Sequence, residues 1–388
     1  MSVDRQQRLT APERRAQIVQ AMSHEMDRSR PSSAVARMEG LVRSGRPRHL
    51  VVSGDIDGIV SAMMLARVTD WRAIAMILGS RDVLLHPSLE ETLVPSLVDS
   101  DDSADGRPRL FGVDVFSPLY DNVSNHPLRW GSKRLADVPR SRAMTEAFDE
   151  AIDRAVAQRL VVNPSQWVGI EAAVDSAAYP RSMRYRYPLG TAQLLLAVLE
   201  AADLSPRMFD REFLPWMVAN CDGGLETIRS YPFNAPMWWS ALGAAVGPAS
   251  LTESLYQLAT NQRPNQFRDV TNLLRSEEPD VARALKDNWN LADDSPGGIA
   301  TVVRWLSSIS GWPDPFLDGV DSLGEWSRIP PPRGTLKTSG RPSSPGDGDE
   351  QTAPDEALRS HLMRAASALY SSFTHYPEGV HLGWMLPR

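Results

Sequence analysis

One stretch near the start of the chain constrains the fold more than any other. An apolar run from His49 to Val52 leads into Ser53-Gly54-Asp55-Ile56-Asp57-Gly58, and apolar residues then recur at helical spacing through Val68. This pattern predicts a buried strand, a tight turn that carries two acids, and a helix. Ligands of open α/β sheets bind outside the carboxyl ends of the strands. We therefore expect Asp55 and Asp57 to lie at a functional edge of such a sheet.

Two interpretations of this acidic turn are open. In the first, Asp55 caps the helix and Asp57 lies in its first turn, where negative charge is favoured. In the second, the two carboxylates bind hard divalent cations, which prefer oxygen ligands. The helix start also offers backbone N–H groups suited to a phosphate.

Later segments extend the pattern of strands that end in polar residues. Residues 73–78 and 110–113 are apolar and predict strands, and the second of these is followed directly by Asp114. An aspartate at the end of a buried strand is costly without partners. Further predictions are a strand over residues 167–170, a helix opened by Gly190-Thr191, and a helix over residues 213–219. Together they predict an α/β fold with a doubly wound, mainly parallel sheet.

The string Ser53-Gly-Asp-Ile-Asp-Gly-Ile-Val-Ser-Ala62 resembles the first motif of the DHH phosphoesterase superfamily, usually His-x-Asp-x-Asp-Gly-x-x-Ser-Ala. This superfamily includes RecJ nucleases, oligoribonucleases, cyclic-dinucleotide phosphodiesterases and family II pyrophosphatases. The resemblance extends to Asp114, which matches a lone aspartate at a strand end, and to Asn220-Cys-Asp222-Gly-Gly, which resembles the fourth motif. Ser53 stands where the family has a histidine.

The Asp-His-His signature of the family can be aligned in two ways. The alignment that we prefer from the sequence places it on Glu171-Ala172-Ala173, about twenty residues before the Gly-Thr helix, and replaces both histidines with alanine. It leaves room for the crossover connection that parallel strands require. The alternative places the signature on Ser124-Asn125-His126-Pro127 and keeps one histidine.

The resemblance implies a set of site residues and a cofactor. It implies Mn²⁺ or Mg²⁺ held by Asp55, Asp57, Asp114 and Asp222, with Asp57 and Asp114 also counted as catalytic. Candidate substrate-binding residues are Arg181, Arg184 and Arg186, which form a basic and aromatic cluster suited to phosphate, together with Gly190 and Thr191.

Three hypotheses about function follow. The first is a metal-dependent phosphoesterase that hydrolyses a phosphodiester of a nucleotide, a cyclic dinucleotide or an oligonucleotide. The second is a catalytically degenerate DHH-like scaffold that binds a nucleotide, a nucleic acid or a protein partner. The absence of the Gly-Gly-x-His run of the family's usual substrate-binding module favours the second. The third is an unrelated α/β protein.

Composition and chain order predict five regions. These are an N-terminal helical arm (1–45), a DHH-like α/β domain (46–240), a mostly helical region (241–327), a disordered linker rich in Pro, Gly, Ser and Asp (328–355), and a C-terminal helix followed by an apolar tail (356–388). We expect the tail to dock within the chain, on a partner or on a second copy. His86 lies near a strand end and is either a ligand or a packing residue.

The remaining composition argues for a cytoplasmic protein. The net charge of −7 gives no overall basic signature, so a nucleic acid would need a local basic patch. A single cysteine, Cys221, excludes an internal disulfide and a cysteine-based zinc cluster. No apolar stretch approaches the roughly 20 residues that span a bilayer, and the polar start does not resemble a signal peptide.

Overall fold

The structure is a computed structural model. It describes residues 11–78, 82–89, 109–115, 120–125, 157–167, 189–206, 214–221, 228, 234–261, 272, 275–285, 291–329, 336–339, 370–376 and 379–385. Within these residues no helix is both long and apolar enough to cross a membrane.

A seven-stranded mixed sheet forms the centre of the protein, in the strand order β6-β5-β4-β1-β2-β3-β7. The first five strands in this order run parallel, while β3 and β7 are each antiparallel to their preceding neighbour. Its strands are β1 (Arg48–Ser53), β2 (Arg72–Ile77), β3 (Val83–Leu85), β4 (Arg109–Val113), β5 (Asp121–Val123), β6 (Val161–Val162) and β7 (Ser327–Ile329). The predicted α/β class with a mainly parallel sheet is therefore confirmed.

Ten α-helices accompany the sheet in the described part of the chain. They are α1 (Ala11–Glu25), α2 (Ala34–Arg43), α3 (Ile56–Val68), α4 (Pro164–Trp167), α5 (Thr191–Ala201), α6 (Leu214–Asn220), α7 (Asn234–Val246), α8 (Leu251–Asn261), α9 (Pro279–Ala284) and α10 (Pro296–Ser310). Two short 3-10 turns cover Pro87–Leu89 and Val320–Glu325.

Alternate residues of β1 enter two different buried clusters, so both faces of the sheet are covered. Leu50 and Val52 join the large cluster, which includes Ile59 and Met63 of α3 and Leu195 of α5. Val51 joins a smaller cluster whose described members come from strands and from the segments beside them. A helical layer on this second face, which a doubly wound fold requires, stays a prediction.

The N-terminal helices are part of the main core. Ile18 and Met22 of α1 and Met38 of α2 are fully buried in the same cluster as Leu50. Ser33 caps α2 by accepting a hydrogen bond from the backbone N–H of Ala36 at 3.1 Å. The described part of the predicted N-terminal helical arm thus contains two helices, and they pack in the core with the α/β domain.

Several predictions for the C-terminal third are corrected. Residues 328 and 329 of the predicted disordered linker belong to β7, which pairs with β3, and Leu336–Ser339 form strand β8. Part of the region predicted as a C-terminal helix and an apolar tail (356–388) is strand instead, because Tyr370–Tyr376 form β9. Strand β10 (Gly379–Met385) pairs antiparallel with both β8 and β9 in a separate three-stranded sheet. The tail is thus paired as strands within the chain.

Candidate functional site

The sheet reverses its order of growth between β1 and β4, and the first acidic turn lies at this point. The chain passes from β1 through α3 to β2 on one side, whereas β4 pairs with β1 on the other side. Such a switch point opens a crevice at the carboxyl ends of the strands, where α/β proteins bind ligands. Asp55 follows β1 and Asp114 follows β4, so the two acids flank the switch point.

Asp55 is the N-cap of α3. Its Oδ1 accepts a hydrogen bond from the backbone N–H of Gly58 at 2.8 Å, and its Oδ2 accepts one from the hydroxyl of Ser53 at 2.9 Å. Ser53 therefore orients the Asp55 carboxylate. A side chain at Gly58 would overlap the carbonyl oxygen of Ser53, which explains a glycine at this position.

Asp57 lies in the first turn of α3 and caps a second helix. Its side chain is almost fully buried, its Oδ2 accepts from the backbone N–H of Thr191 at 2.6 Å, and its Oδ1 accepts from that of Ala192 at 2.7 Å. Burial, and then the negative charge of Asp55, raise the pKa of Asp57 to about 7, although the two backbone hydrogen bonds act in the opposite direction. Among the described residues, no cationic side chain takes part in these interactions of the buried Asp57.

Asp114 leaves β4 in an unusual backbone conformation. Its φ is +55°, in the left-handed region that residues other than glycine seldom adopt. Its backbone N–H donates to the carbonyl of Val123 at 2.9 Å, and its Oδ1 accepts from the hydroxyl of Thr191 at 2.6 Å. The buried carboxylate is therefore turned toward the start of α5.

Thr191 connects the acids of two strand ends. Its N–H binds Asp57, its hydroxyl binds Asp114, and its hydroxyl oxygen accepts from the backbone N–H of Asn125 at 3.1 Å. Gly190 donates its N–H to Oε1 of Gln193 at 2.5 Å. The backbone donors of Gly190 and Thr191, predicted to bind substrate, are therefore bound to protein groups. A phosphate site was also predicted at the start of α3. The backbone N–H of Gly58 there is likewise bound to a protein group, because it donates to Asp55.

Strand β5 brings the two polar residues that follow it to the acidic cluster. Strand β5 lies parallel beside β4 and ends at Val123, so Ser124 and Asn125 reach the carboxyl edge next to Asp114. The strand predicted over residues 167–170 is wrong at Trp167, which ends the helical turn α4, and residues 168–170 lie outside the described residues. Asn125 entered the sequence prediction only through the alternative alignment, and the structure joins it to the cluster through its backbone N–H. The signal in the sequence was the polar triplet Ser124-Asn125-His126 followed by Pro127. The strand before it has only three residues and is therefore hard to recognise from the sequence.

The residue that follows α6 also lies beside the acidic cluster. The carbonyl of Cys221 accepts from Nε2 of Gln193 at 3.1 Å. A Cβ on Gly190 would lie 2.9 Å from that carbonyl and 3.1 Å from each carboxylate oxygen of Asp57. Cys221, the residue before Asp222, thus packs against the turn that holds Asp57. Other predicted residues lie outside the described residues, namely His126, Glu171, Ala172, Ala173, Arg181, Arg184, Arg186 and Asp222.

The donor chemistry of the site suits a hard cation, but the number of donors is incomplete. Carboxylate oxygens are the ligands that Mg²⁺ and Mn²⁺ prefer. Among the described residues, however, no group of three or more His, Cys, Asp or Glu side chains is arranged to hold a metal ion. A complete site would need ligands from the remaining parts of the chain.

His86, the other histidine considered as a ligand, lies at the opposite edge of the sheet. It follows β3, which is antiparallel to β2, and its N–H donates to the carbonyl of Ile74 near the start of β2. It is therefore separate from the site around Asp57.

Fold and site together define an α/β protein with a buried polar cluster at the switch point of its sheet. Comparisons of the chain with family models, with curated proteins and with solved structures gave no match.

Proposed function

We propose that the chain is a DHH-like, divalent-metal-dependent phosphoesterase that hydrolyses a phosphodiester of a nucleotide, a cyclic dinucleotide or an oligonucleotide. One observation carries the proposal: Asp57 after β1, Asp114 after β4 and Asn125 after β5 converge on Thr191. These segments occur in the order of the family's motifs. The alignment on β5 retains His126, a nitrogen ligand that the preferred alignment lacked.

The residues have distinct roles in this proposal. Asp55, Asp57, Asp114 and Asp222 would hold Mn²⁺ or Mg²⁺, which would supply Lewis acidity and an activated water to phosphoester hydrolysis. Ser53 orients Asp55, and Thr191 fixes the relative positions of Asp57 and Asp114. A bound cation would also stabilise the charged form of Asp57, whose pKa burial raises to about 7.

A degenerate scaffold that binds without hydrolysis is the second candidate. Both carboxylate oxygens of Asp57 accept backbone N–H groups of α5, so this acid has a structural task as a helix anchor. Ser53 replaces the histidine of the first motif. The two candidates share the fold. They differ in whether the acidic cluster binds a cation tightly enough to support hydrolysis.

Calorimetric titration of the full chain with Mn²⁺ and Mg²⁺ tests the proposal. Wild type is compared with Asp114→Asn, with His126→Ala and with Asp280→Asn, an exposed acid paired with Arg283 on α9. We expect Asp114→Asn and His126→Ala to weaken metal binding by at least about 10–100-fold, because even residues that only support the metal ligands contribute this much to affinity. Asp280→Asn should bind as wild type does. If neither Mn²⁺ nor Mg²⁺ binds to the wild-type protein, the proposal of a metal-dependent enzyme is overturned.

Hydrolysis is measured next, with Mn²⁺ present, on cyclic dinucleotides and on short single-stranded oligonucleotides. Turnover that depends on both Mn²⁺ and Asp114 supports the phosphoesterase. Metal and ligand binding without turnover supports the scaffold. The Glu171→Gln variant checks the alignment, since only the alignment on residues 171–173 makes this residue part of the site.

A further inference from the structure

A second polar cluster lies at the amino edge of the sheet, remote from Asp57. Its centre is His86, whose imidazole is only 8% exposed. Nδ1 of His86 lies 2.7 Å from the hydroxyl oxygen of Ser88, and Nε2 lies 3.0 Å from Oδ2 of Asp318. A serine, a histidine and an aspartate are thus linked in series through the two ring nitrogens.

The hydrogen bonds fix the tautomer of this histidine. The backbone N–H of Ser88 also donates to Nδ1, at 3.1 Å, so Nδ1 carries a lone pair and no proton. The ring proton is therefore on Nε2 and is donated to Asp318. The basic nitrogen faces a serine hydroxyl, and the carboxylate stabilises positive charge on the ring.

The surroundings hold the imidazole in place, and the serine lies at the protein surface. The ring packs edge-on against Trp326, with ring centroids 5.4 Å apart and an interplanar angle of 89°. The His86 backbone is hydrogen-bonded to Ile74. Ser88, in the 3-10 turn Pro87–Leu89, is exposed to solvent, as is the side chain of Asp318. Asp318 has a φ of +59°, an uncommon conformation for a residue with a side chain.

We propose that Ser88 is a nucleophile toward carboxylic esters, with His86 as its general base and Asp318 as the group that orients the base. Nucleophile, base and orienting acid lie within the hydrogen-bonding distances that such a relay requires. This activity is independent of the function proposed for the cluster around Asp57.

The reaction balances with an ester and water as the only reactants. The Ser88 hydroxyl oxygen bonds to the ester carbonyl carbon, its proton passes to Nδ1 of His86, and the alkoxide leaves with that proton as an alcohol. Water then attacks the acyl-Ser88 ester and gives a proton to Nδ1. The carboxylic acid leaves, Ser88 recovers its proton, and the site returns to its starting state.

A fluorophosphonate probe tests the nucleophile directly. It is incubated with the full-length protein, and the site of modification is located by mass spectrometry of peptides. We expect one modification, at Ser88. Ser29 is an internal control, because it is also exposed but its hydroxyl donates to Asp27 and has no histidine partner. Modification of Ser88 no faster than of Ser29 overturns the proposal.

Variants separate catalysis from a purely structural role of the same contacts. Ser88→Ala keeps the backbone N–H bond to His86, so the turn is retained, and it should abolish both labelling and hydrolysis of p-nitrophenyl acetate. His86→Gln should slow labelling by about 100-fold, the typical contribution of a general base. Asp318→Asn, at an exposed position that does not threaten folding, should slow it by about 10-fold or more. Unchanged labelling in Asp318→Asn and His86→Gln, with a native melting temperature, contradicts the relay.

Discussion

The hydroxyl of Thr191 donates to Oδ1 of Asp114 at 2.6 Å, and both residues are buried. Through this bond the first residue of α5 is fixed to the end of β4. The backbone N–H of Thr191 at the same time binds Asp57 from the β1–α3 turn. The geometry of the acidic cluster therefore depends on one threonine.

Thr191→Val is expected to destabilise the protein by about 1–3 kcal/mol. Valine has nearly the same shape, but it removes the hydroxyl that donates to the buried Asp114 carboxylate, and a hydrogen bond to a charged group contributes about this much. The backbone bond to Asp57 is kept. Urea denaturation of the metal-free protein measures the change in the free energy of unfolding.

Thr191→Ser is the matched control, because it keeps the hydroxyl and removes one methyl group, which costs about 0.8 kcal/mol. A double-mutant cycle with Asp114→Asn isolates the bond. The cost of Thr191→Val should fall when Asp114 no longer carries a charge. Equal costs in the two backgrounds would show that the two side chains are not coupled.

Gly190→Ala is expected to be harmful although it replaces a glycine at a helix start. The added Cβ would lie 2.9 Å from the carbonyl oxygen of Cys221 and 3.1 Å from both carboxylate oxygens of Asp57. Overpacking of this kind costs about 1–3 kcal/mol. Here it would also displace Asp57 from the start of α5, so Mn²⁺ affinity should fall with stability.

Gly297→Ala, in the first turn of α10, is the corresponding control. Its nearest new contact is an ordinary 3.9 Å to the hydroxyl of Ser295. Alanine at an unstrained helical position stabilises by about 0.5–1 kcal/mol relative to glycine. Thermal melts of both variants should therefore move in opposite directions. A neutral Gly190→Ala would mean that the turn around Asp57 is looser than the distances indicate.

The stability of the metal-free protein should fall as pH rises from about 4 to about 7, through the contribution of Asp57. The pKa of Asp57 is 3.8 in the unfolded reference and about 7 in the folded protein, raised first by burial and second by Asp55. In this window the folded protein binds a proton that the unfolded chain has lost. The contribution is complete below pH 3.8 and is lost as pH rises through about 7.

Urea denaturation at a series of pH values, with a chelator present, measures this slope. The slope should flatten in Asp57→Asn. Asp55→Asn removes the neighbouring charge and preserves a good N-cap, so the pKa of Asp57 should fall and the loss of stability should end at a lower pH. An identical pH profile for wild type and Asp57→Asn would contradict the raised pKa.

The sequence predicted those strands and helices whose buried residues form long apolar runs along the chain. Strands β1, β2 and β4 and helices α3 and α5 have apolar runs long enough to indicate both their type and their position. Strands β3, β5, β6 and β7 have only two or three residues each. A run so short has no detectable period, and its strand conformation depends on pairing with neighbours that are distant in sequence.

The candidate site was predicted as a set of residues but not as a set of contacts. Asp55, Asp57 and Asp114 follow strands as expected, because acids at strand ends are a local signal. The bonds from Thr191 and Ala192 to Asp57 join residues more than 130 positions apart. No local pattern encodes that pairing. Strand β5 was not predicted for the same reason, since neighbouring strands in the sheet are set by pairing.

The ion pair of Arg48 and Asp121 gives a final prediction, outside the site. Nη1 of Arg48 lies 2.8 Å from Oδ2 of Asp121, with side-chain exposures of 8% and 17%. The guanidinium also lies over the ring of Trp71, and Asp121 Oδ1 accepts from the N–H of Leu160 at 2.7 Å. The pair therefore joins β1 to β5 and to the segment that enters β6.

Asp121→Asn should lower the free energy of unfolding by about 3–5 kcal/mol, because it removes the charge of one partner of a buried ion pair. Asn can still accept from Leu160, so the change isolates the charge.

Asp280→Asn is the control, because it removes the same charge from an exposed ion pair. The side chains of Asp280 and Arg283 are both 74% exposed, and the substitution should cost less than about 1 kcal/mol. Urea titrations at neutral pH in low and in high salt compare them. Only the small loss in Asp280→Asn should disappear at high salt, since the buried pair is screened far less. Similar small losses in both variants would mean that water reaches Arg48 in solution and that the β1–β5 connection depends on packing instead of charge.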